Sequence, residues 1–260
     1  VAQHYNQRQQ GSQGKRADSV IIGLKRFNNW VKNSLIMRYV KSGSSVVDFC
    51  GGKGGDLYKW EQAGIAQLML LDVAATSVKH ARERFDEMLH KNSRGGRDGG
   101  KSLYKAEFHA RDCFGLNALA GLALGTFQAV SCQFALHYAF ESEDRARQAV
   151  HNAASLLASG GHFFGTIPNG YRLMKRLRSQ PGLSFGNAIY NVAFDQKTPC
   201  PPFGHRYTFH LEDAIDDCPE YLVHWGVLVQ LAREAGLEPI VFRPFQEYLL
   251  DCLEAAGLSR

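Results

Sequence analysis

Over residues 19–40 the apolar positions Val20, Leu24, Phe27, Val31 and Leu35 recur at steps of three and four, the period of an amphipathic helix. Lys25, Arg26, Asn28, Asn29 and Lys32 fall between them, and Asn28 and Lys32, four apart, share a face with Asn29 beside them. Short apolar runs then alternate with helical periods. Residues 44–50 (SSVVDFC) predict a strand that ends in a cluster of glycines, Gly51, Gly52, Gly54 and Gly55, and a helix should follow over about 56–63. Residues 66–73 predict a strand, 75–90 a helix, and 104–110 a strand after the loop RGGRDGGKS. Residues 127–134 predict another strand, 141–157 a helix ended by Gly160 and Gly161, and 162–167 a strand stopped by Pro168. Two alternating runs around KTPCPPFGH, over 184–211, predict an antiparallel insertion; a helix over 221–235 and a strand over 237–242 complete the pattern.

This alternation predicts an α/β domain, a mostly parallel sheet with helices on both faces and an antiparallel insertion. It divides into an N-terminal helical segment (1–43), a core (44–183), the insertion (184–218) and a C-terminal helix, strand and start of a helix (219–260). Composition agrees with a folded domain: 260 residues, 45% hydrophobic, 21% charged, mean hydropathy −0.27. No run approaches the ~18 apolar residues of a membrane helix, and no secretory signal stands at the N-terminus, so the expectation is a soluble, non-secreted protein. Val1 in place of Met suggests a piece of a longer chain. The six cysteines fall in no metal-ligand or disulfide spacing and are read as reduced intracellular thiols, with no metal site.

Charge adds a polarity. Residues 1–60 carry ten Lys/Arg against three Asp/Glu, while residues 211–260 carry three against ten, within a net charge of +5. A basic N-terminal part suits a phosphorylated partner, and an acidic C-terminal part suits a cationic group.

In an open parallel sheet, ligands sit beyond the carboxyl ends of the strands. The turn 48–56 (DFCGGKGGD) offers small residues and helix N–H groups there, and Asp72, about 20 residues past the glycines, can accept both hydroxyls of a ribose. Asp72 can equally cap the following helix. Position 57 is Leu, so the glycines do not form the dinucleotide pattern, and S-adenosylmethionine fits better.

The stretches FNNWVK (27–32), DFCGGKGGDLYKW (48–60), SCQFALHY (131–138), GTIPN (165–169), SFGN (184–187) and PEYL (219–222) occur in the order of the motifs of eukaryotic mRNA cap (guanine-N7) methyltransferases, which this chain resembles. VAQHYN (1–6) resembles the start of that catalytic domain. The resemblance implies a class I methyltransferase fold, S-adenosylmethionine as methyl donor and the GpppN end of capped mRNA as acceptor. It also implies a nuclear location and association with capping or transcription machinery; a monomer with no membrane attachment is expected. By similarity, Lys32, the backbone at Cys50, Asp72, Asp112, Gln133 and Tyr138 would hold the cofactor. Asn28, Asn29, Lys53, Lys59, Arg84, His137 and Glu220 would hold the cap and its triphosphate.

Each assignment has a chemical rationale. A carboxylate at Asp112 can accept an adenine amino group, and Lys32 suits the methionine carboxylate. Lys53, Lys59 and Arg84 suit phosphates. Glu220 can accept the N1 and exocyclic amino protons of guanine, which adenine cannot offer; as residues after a proline, it also suits the second position of a helix. Guanine N7 carries no proton, so no general base is assigned. Two features depart from the family: Cys50 stands where glycine is usual, and the chain stops before the last antiparallel strand, which in the family brings another cap-contacting aromatic residue. Two alternatives therefore stay open, a class I methyltransferase acting on a small molecule and a degenerate module that binds capped RNA without turnover.

Overall fold

Five strands pair in parallel in the order β3-β2-β1-β4-β5 in the computed structural model, which describes residues 19–94 and 103–258. They are β1 (Ser45–Phe49), β2 (Gln67–Asp72), β3 (Lys105–Ala110), β4 (Phe127–Gln133) and β5 (Leu157–Thr166). Helices α1 (Ile22–Tyr39), α2 (Leu57–Ala63) and α3 (Ala75–Arg94) belong to the first half of the chain. A 3₁₀ helix (Leu136–Glu141) and α4 (Glu143–Leu156) lie between β4 and β5, and α5 (Gly170–Arg178) follows β5. A second sheet, antiparallel in the order β6-β7-β8-β9, comprises β6 (Ser184–Gly186), β7 (Tyr190–Phe194), β8 (Arg206–Leu211) and β9 (Ile215–Tyr221). Helices α6 (Trp225–Glu234) and α7 (Phe245–Ala255) close the chain. The motif at 1–6 and most of the loop RGGRDGGKS lie outside the described residues.

The period-2 alternation of buried strands puts successive side chains into two cores. Val47, Phe49, Met69, Leu71, Val130 and Cys132 face α4 and α6, whereas Val46, Leu68, Leu70 and Ala129 face Ile36 of α1, Trp60 of α2 and Phe85 of α3. Each such large side chain removed from water stabilises the fold by roughly 1.5–3 kcal/mol. A third cluster, Met174, Leu177, Phe185, Val192, Tyr207 and Leu222, joins α5 to the antiparallel sheet. Gly165 in β5 lies so close to β4 that a Cβ there would stand 1.9 Å from the Cys132 carbonyl oxygen, so only glycine permits this strand pair.

Several expectations change. On α1 the packed residues are Val31 and Ile36; Val20 precedes the helix and Leu24 is 41% exposed, because the C-terminal half of the helix lies on the sheet, where Tyr39 meets His162 and Phe164. Gly160 and Gly161 do not end α4. They sit inside β5, where Gly160 adopts a left-handed φ of 75° as the register against β4 shifts. The antiparallel region extends to Tyr221, so Pro219 and Glu220 belong to β9 and not to a helix start. Proline is compatible there because β9 is an edge strand. The following helix begins at Trp225, and residues 237–242 form no strand; Phe242 instead stacks on Trp225, ring centroids 4.0 Å apart. The helix α5 was not expected.

Candidate active site

The carboxyl ends of β1, β2 and β4 present their next residues to one rim, where the chain turns into α2, α3 and the 3₁₀ helix. After β1 the backbone takes left-handed conformations at Cys50 (φ 55°), Gly52 and Gly54. Glycine reaches this region freely, whereas a residue with a Cβ pays about 1–2 kcal/mol, so Cys50 stands at a position whose backbone favours glycine. Its thiol is half-buried, with Sγ 4.0 Å from that of Cys113, leaving the backbone of the turn for the ligand.

Asp72 ends β2 and accepts hydrogen bonds from the N–H of Gly52 at 2.9 Å and of Ala74 at 2.8 Å. It thus ties the glycine turn to the start of α3, as the capping alternative expects. Burial raises its pKa against these two bonds. Lys32 from α1 meets Asp56 at 2.8 Å, and Lys59 from α2 meets the same carboxylate at 2.7 Å. Burial pushes the Asp56 carboxyl up, but the two ammonium groups more than reverse it and hold it below the ordinary value. Lys59 also donates to Asn29 Oδ1 at 3.2 Å, so Asn29, Lys32 and Lys59 are brought together around Asp56. Asn28 is half-buried on α1, Lys53 lies in the turn, and Arg84 from α3 donates to the Gly54 carbonyl at 3.1 Å. Beneath them Asp48 accepts from Trp60 Nε1 at 3.3 Å. Its pKa is raised to about 8, by burial first and by the charge of Asp56 second.

Asp112 lies beyond β3, accepting from the Phe114 N–H at 3.0 Å and pairing with Arg145 at 3.0 Å. Gln133 ends β4, donating to Ser131 and accepting from Thr166, both at 3.1 Å. Phe134 follows in a left-handed conformation, φ 55°, its N–H donated to Thr166; its ring meets Phe245 of α7 edge-on, and Phe245 meets Phe27 of α1 in the same way. A bulky residue in this region of φ is strained, and the strain aims the ring across the rim.

A second wall comes from the antiparallel sheet, where it meets the 3₁₀ helix after β4. Tyr207 of β8 and Glu220 of β9 are register partners, and the tyrosine hydroxyl donates to Glu220 Oε2 at 2.7 Å. His137 Nε2 stands 3.4 Å from Glu220 Oε1 without hydrogen-bond alignment, and Nδ1 has no hydrogen-bond partner among the described residues, although His137 is 2% and Glu220 3% exposed. Buried polar atoms of this kind ordinarily find partners. A buried carboxylate with one oxygen held, beside an imidazole with open nitrogens, suits a planar ligand with several donors and acceptors. The His137 and Tyr138 rings lie 4.3 Å apart, and Tyr138 Oη is 3.6 Å from Cys218 Sγ.

The sequence-level reading overlooked Asp48, Asp56, Phe134 and Tyr207. An acid inside the apolar run VVDF, followed eight residues later by another, was a visible signal for the first two. Phe134 lay inside the SCQFALHY motif, while Tyr207 is identified only by the pairing of β8 with β9.

The glycine turn, the ribose-ready Asp72 and the paired Lys32 suit S-adenosylmethionine: a carboxylate at a strand end for hydroxyls, backbone N–H groups, and a cation within reach of an amino-acid carboxylate. The fold is that of known methyltransferases. A methyltransferase from Streptomyces caelestis, CcbJ, superposes with a TM-score of 0.56 at 14% identity over 95% of this chain and 89% of its own. An S-adenosylmethionine-dependent methyltransferase from Clostridium acetobutylicum gives 0.50 at 12% identity over 81% and 79%. In sequence, the mRNA cap guanine-N(7) methyltransferase of Cryptococcus neoformans is 41% identical over 96% of this chain and 40% of its own length. Methyltransferase 1 of that kind from rice is 38% identical over 98% and 69%, and the Saccharomyces cerevisiae enzyme 39% identical over 96% and 59%. The chain thus spans between two-fifths and about two-thirds of the length of these relatives. Residues 1–258 match the mRNA (guanine-N(7))-methyltransferase domain, and the chain belongs to that family.

Proposed function

We propose that this domain transfers the methyl group of S-adenosylmethionine to N7 of the guanosine that caps an mRNA 5′ end. The observation that carries the reading is the buried Glu220, fixed by Tyr207 and faced by His137 of the 3₁₀ helix that follows β4. By family the reading includes a nuclear site of action, with capping or transcription machinery as partners of a monomeric domain.

S-adenosylmethionine supplies an electrophilic methyl group on a sulfonium. The chain's residues hold and aim the two reactants. Asp72 and the backbone of Cys50–Gly52 would take the ribose side, Asp112 and Gln133 the adenine side, and Lys32 the methionine carboxylate. Tyr138 would stand on the cofactor side, while Glu220 would accept the N1–H and amino protons of guanine, with His137 and the Phe134 ring beside the base. Lys53, Lys59, Arg84 and Asn28 would face the triphosphate. Guanine N7 has an in-plane lone pair and no proton to lose, so catalysis needs orientation and a fitting local field, and no group here has to act as a base.

The test is transfer of labelled methyl to GpppA- and GpppG-capped RNA, with ApppA-capped and uncapped RNA as controls. Label at N7 of the terminal guanosine in the Gppp-capped RNAs alone is expected. Transfer to ApppA-capped RNA, or transfer to none while cap analogue fails to bind, would overturn the reading.

A further inference from the structure

Beside Glu220 the molecule has a second recess, which the cap reading does not use. A cavity of about 440 Å³ opens between α5 and the end of β9, lined among others by Tyr171, Lys175, Arg178, Cys200 and His224. It is close to the proposed cap site on two counts. Leu222 and His224, both in its wall, follow Glu220 by two and four residues, about 7 and 13 Å along extended chain. From the other side, α5 starts just after Pro168 and Asn169, which leave β5 beside Gln133, and Gly170 packs so tightly on the end of β9 that a Cβ would lie 2.5 Å from the Val223 carbonyl oxygen.

The charge of this recess is one-sided. No acidic residue lines it, and among the described residues neither Lys175 nor Arg178 makes an ion pair. The contrast is a larger cavity of about 780 Å³ near α4. There Arg145 pairs with Asp112, and Arg147 with Glu143 and Glu234, so its charge is neutralised within the protein. α5 carries Arg172, Lys175, Arg176 and Arg178 in nine residues with no acid. Arg172 and Arg176 are occupied, the first by Gln246 and the second over the Phe185 and Tyr190 rings, which leaves Lys175 and Arg178 for a ligand. Tyr171, 59% exposed, stands at the mouth with its ring available. Cations along a groove with an exposed ring match a single-stranded nucleic acid, its phosphates on the cations and a base on the ring.

We infer that this cavity binds the RNA strand just beyond the cap, with Lys175 and Arg178 on backbone phosphates and Tyr171 stacked on a base. The inference rests on the cap reading for its direction, and it adds a strand-binding site to it. Such a site is blind to base sequence and acts only on a substrate long enough to reach it.

The experiment compares methylation of the GpppA dinucleotide with that of a GpppA-capped 12-nucleotide RNA, and binding of an uncapped 12-nucleotide RNA by fluorescence anisotropy over a salt series. The variants are K175A/R178A, K175E/R178E and Y171A. For K175A/R178A, KM for the capped RNA rises about tenfold and the salt slope of RNA binding falls by about 0.7 per cation removed, while KM for the dinucleotide stays put. K175E/R178E loses more, and Y171A loses about fivefold on RNA with the salt slope unchanged. Equal changes on dinucleotide and RNA, or no change on either, would overturn the inference. A wild-type chain that binds uncapped RNA in this way but methylates neither the dinucleotide nor the capped RNA and fails to bind cap analogue would refute the cap reading and leave the strand site standing.

Discussion

The two walls of the rim hold their carboxylates by different means. On the parallel sheet, Asp72 is fixed by two backbone N–H groups and Asp56 by two lysines, all from elements next to one another in the fold. On the antiparallel sheet, Glu220 is fixed by one hydroxyl from a paired strand and faced by an imidazole with open nitrogens. The first wall is a charged network largely satisfied within the protein, ready for a ligand that exchanges one polar partner for another. The second is a buried site with capacity left over, which a ligand must fill. A cofactor common to many methyltransferases suits the first, and selection of one base suits the second, because an unmet buried acceptor penalises the wrong base more than a met one does.

The comparison can be broken in four places. Glu220→Ala has the largest effect: cap-analogue affinity, measured by calorimetry, falls about 100-fold or more, since two donors of the base lose a buried acceptor. S-adenosylmethionine affinity is unchanged in that variant. Asp72→Asn weakens S-adenosylmethionine by about 30-fold and leaves the cap analogue alone, because an amide accepts at one atom where the carboxylate accepts at two. Tyr207→Phe frees Oε2 of Glu220 and costs about 1 kcal/mol, near fivefold in cap-analogue affinity, without touching the cofactor.

The fourth place is the pH dependence of stability. The Asp48 carboxyl titrates near 8 in the fold, against an ordinary value near 4, so the folded chain binds this proton more tightly than the unfolded chain does. Its contribution to stability therefore declines as pH rises from about 4 to about 8; Asp72 acts in the same sense and Asp56 in the opposite one. Asp48→Asn flattens the decline, seen by scanning calorimetry as a smaller fall in Tm between pH 5 and pH 8. A fall as steep as in the native chain would show that Asp48 is not its source.

The same contrast explains what the sequence disclosed. The parallel wall is made of residues immediately after strands, so the run-then-glycine pattern at 44–55 and the acid at Asp72 placed it directly. The convergence of Asn29, Lys32 and Lys59 on Asp56 was hidden, because it joins α1 to α2 across 24 positions with no shared period. On the antiparallel wall, Pro219-Glu220 has the local signature of a helix start, and only the pairing with β8 makes it a strand. Glu220 and His137 were named through the motifs of a family, and Tyr207, without such a motif, was not. Long-range register decides such positions, and local pattern does not encode it.

The division of labour between the walls is tested most directly by one two-by-two titration. Glu220→Ala and Asp72→Asn are each titrated by calorimetry with cap analogue and with S-adenosylmethionine. The expected result is that Glu220→Ala loses only the cap analogue and Asp72→Asn only S-adenosylmethionine. Loss of both ligands in both variants, or loss of S-adenosylmethionine in Glu220→Ala with cap-analogue binding intact, would contradict it.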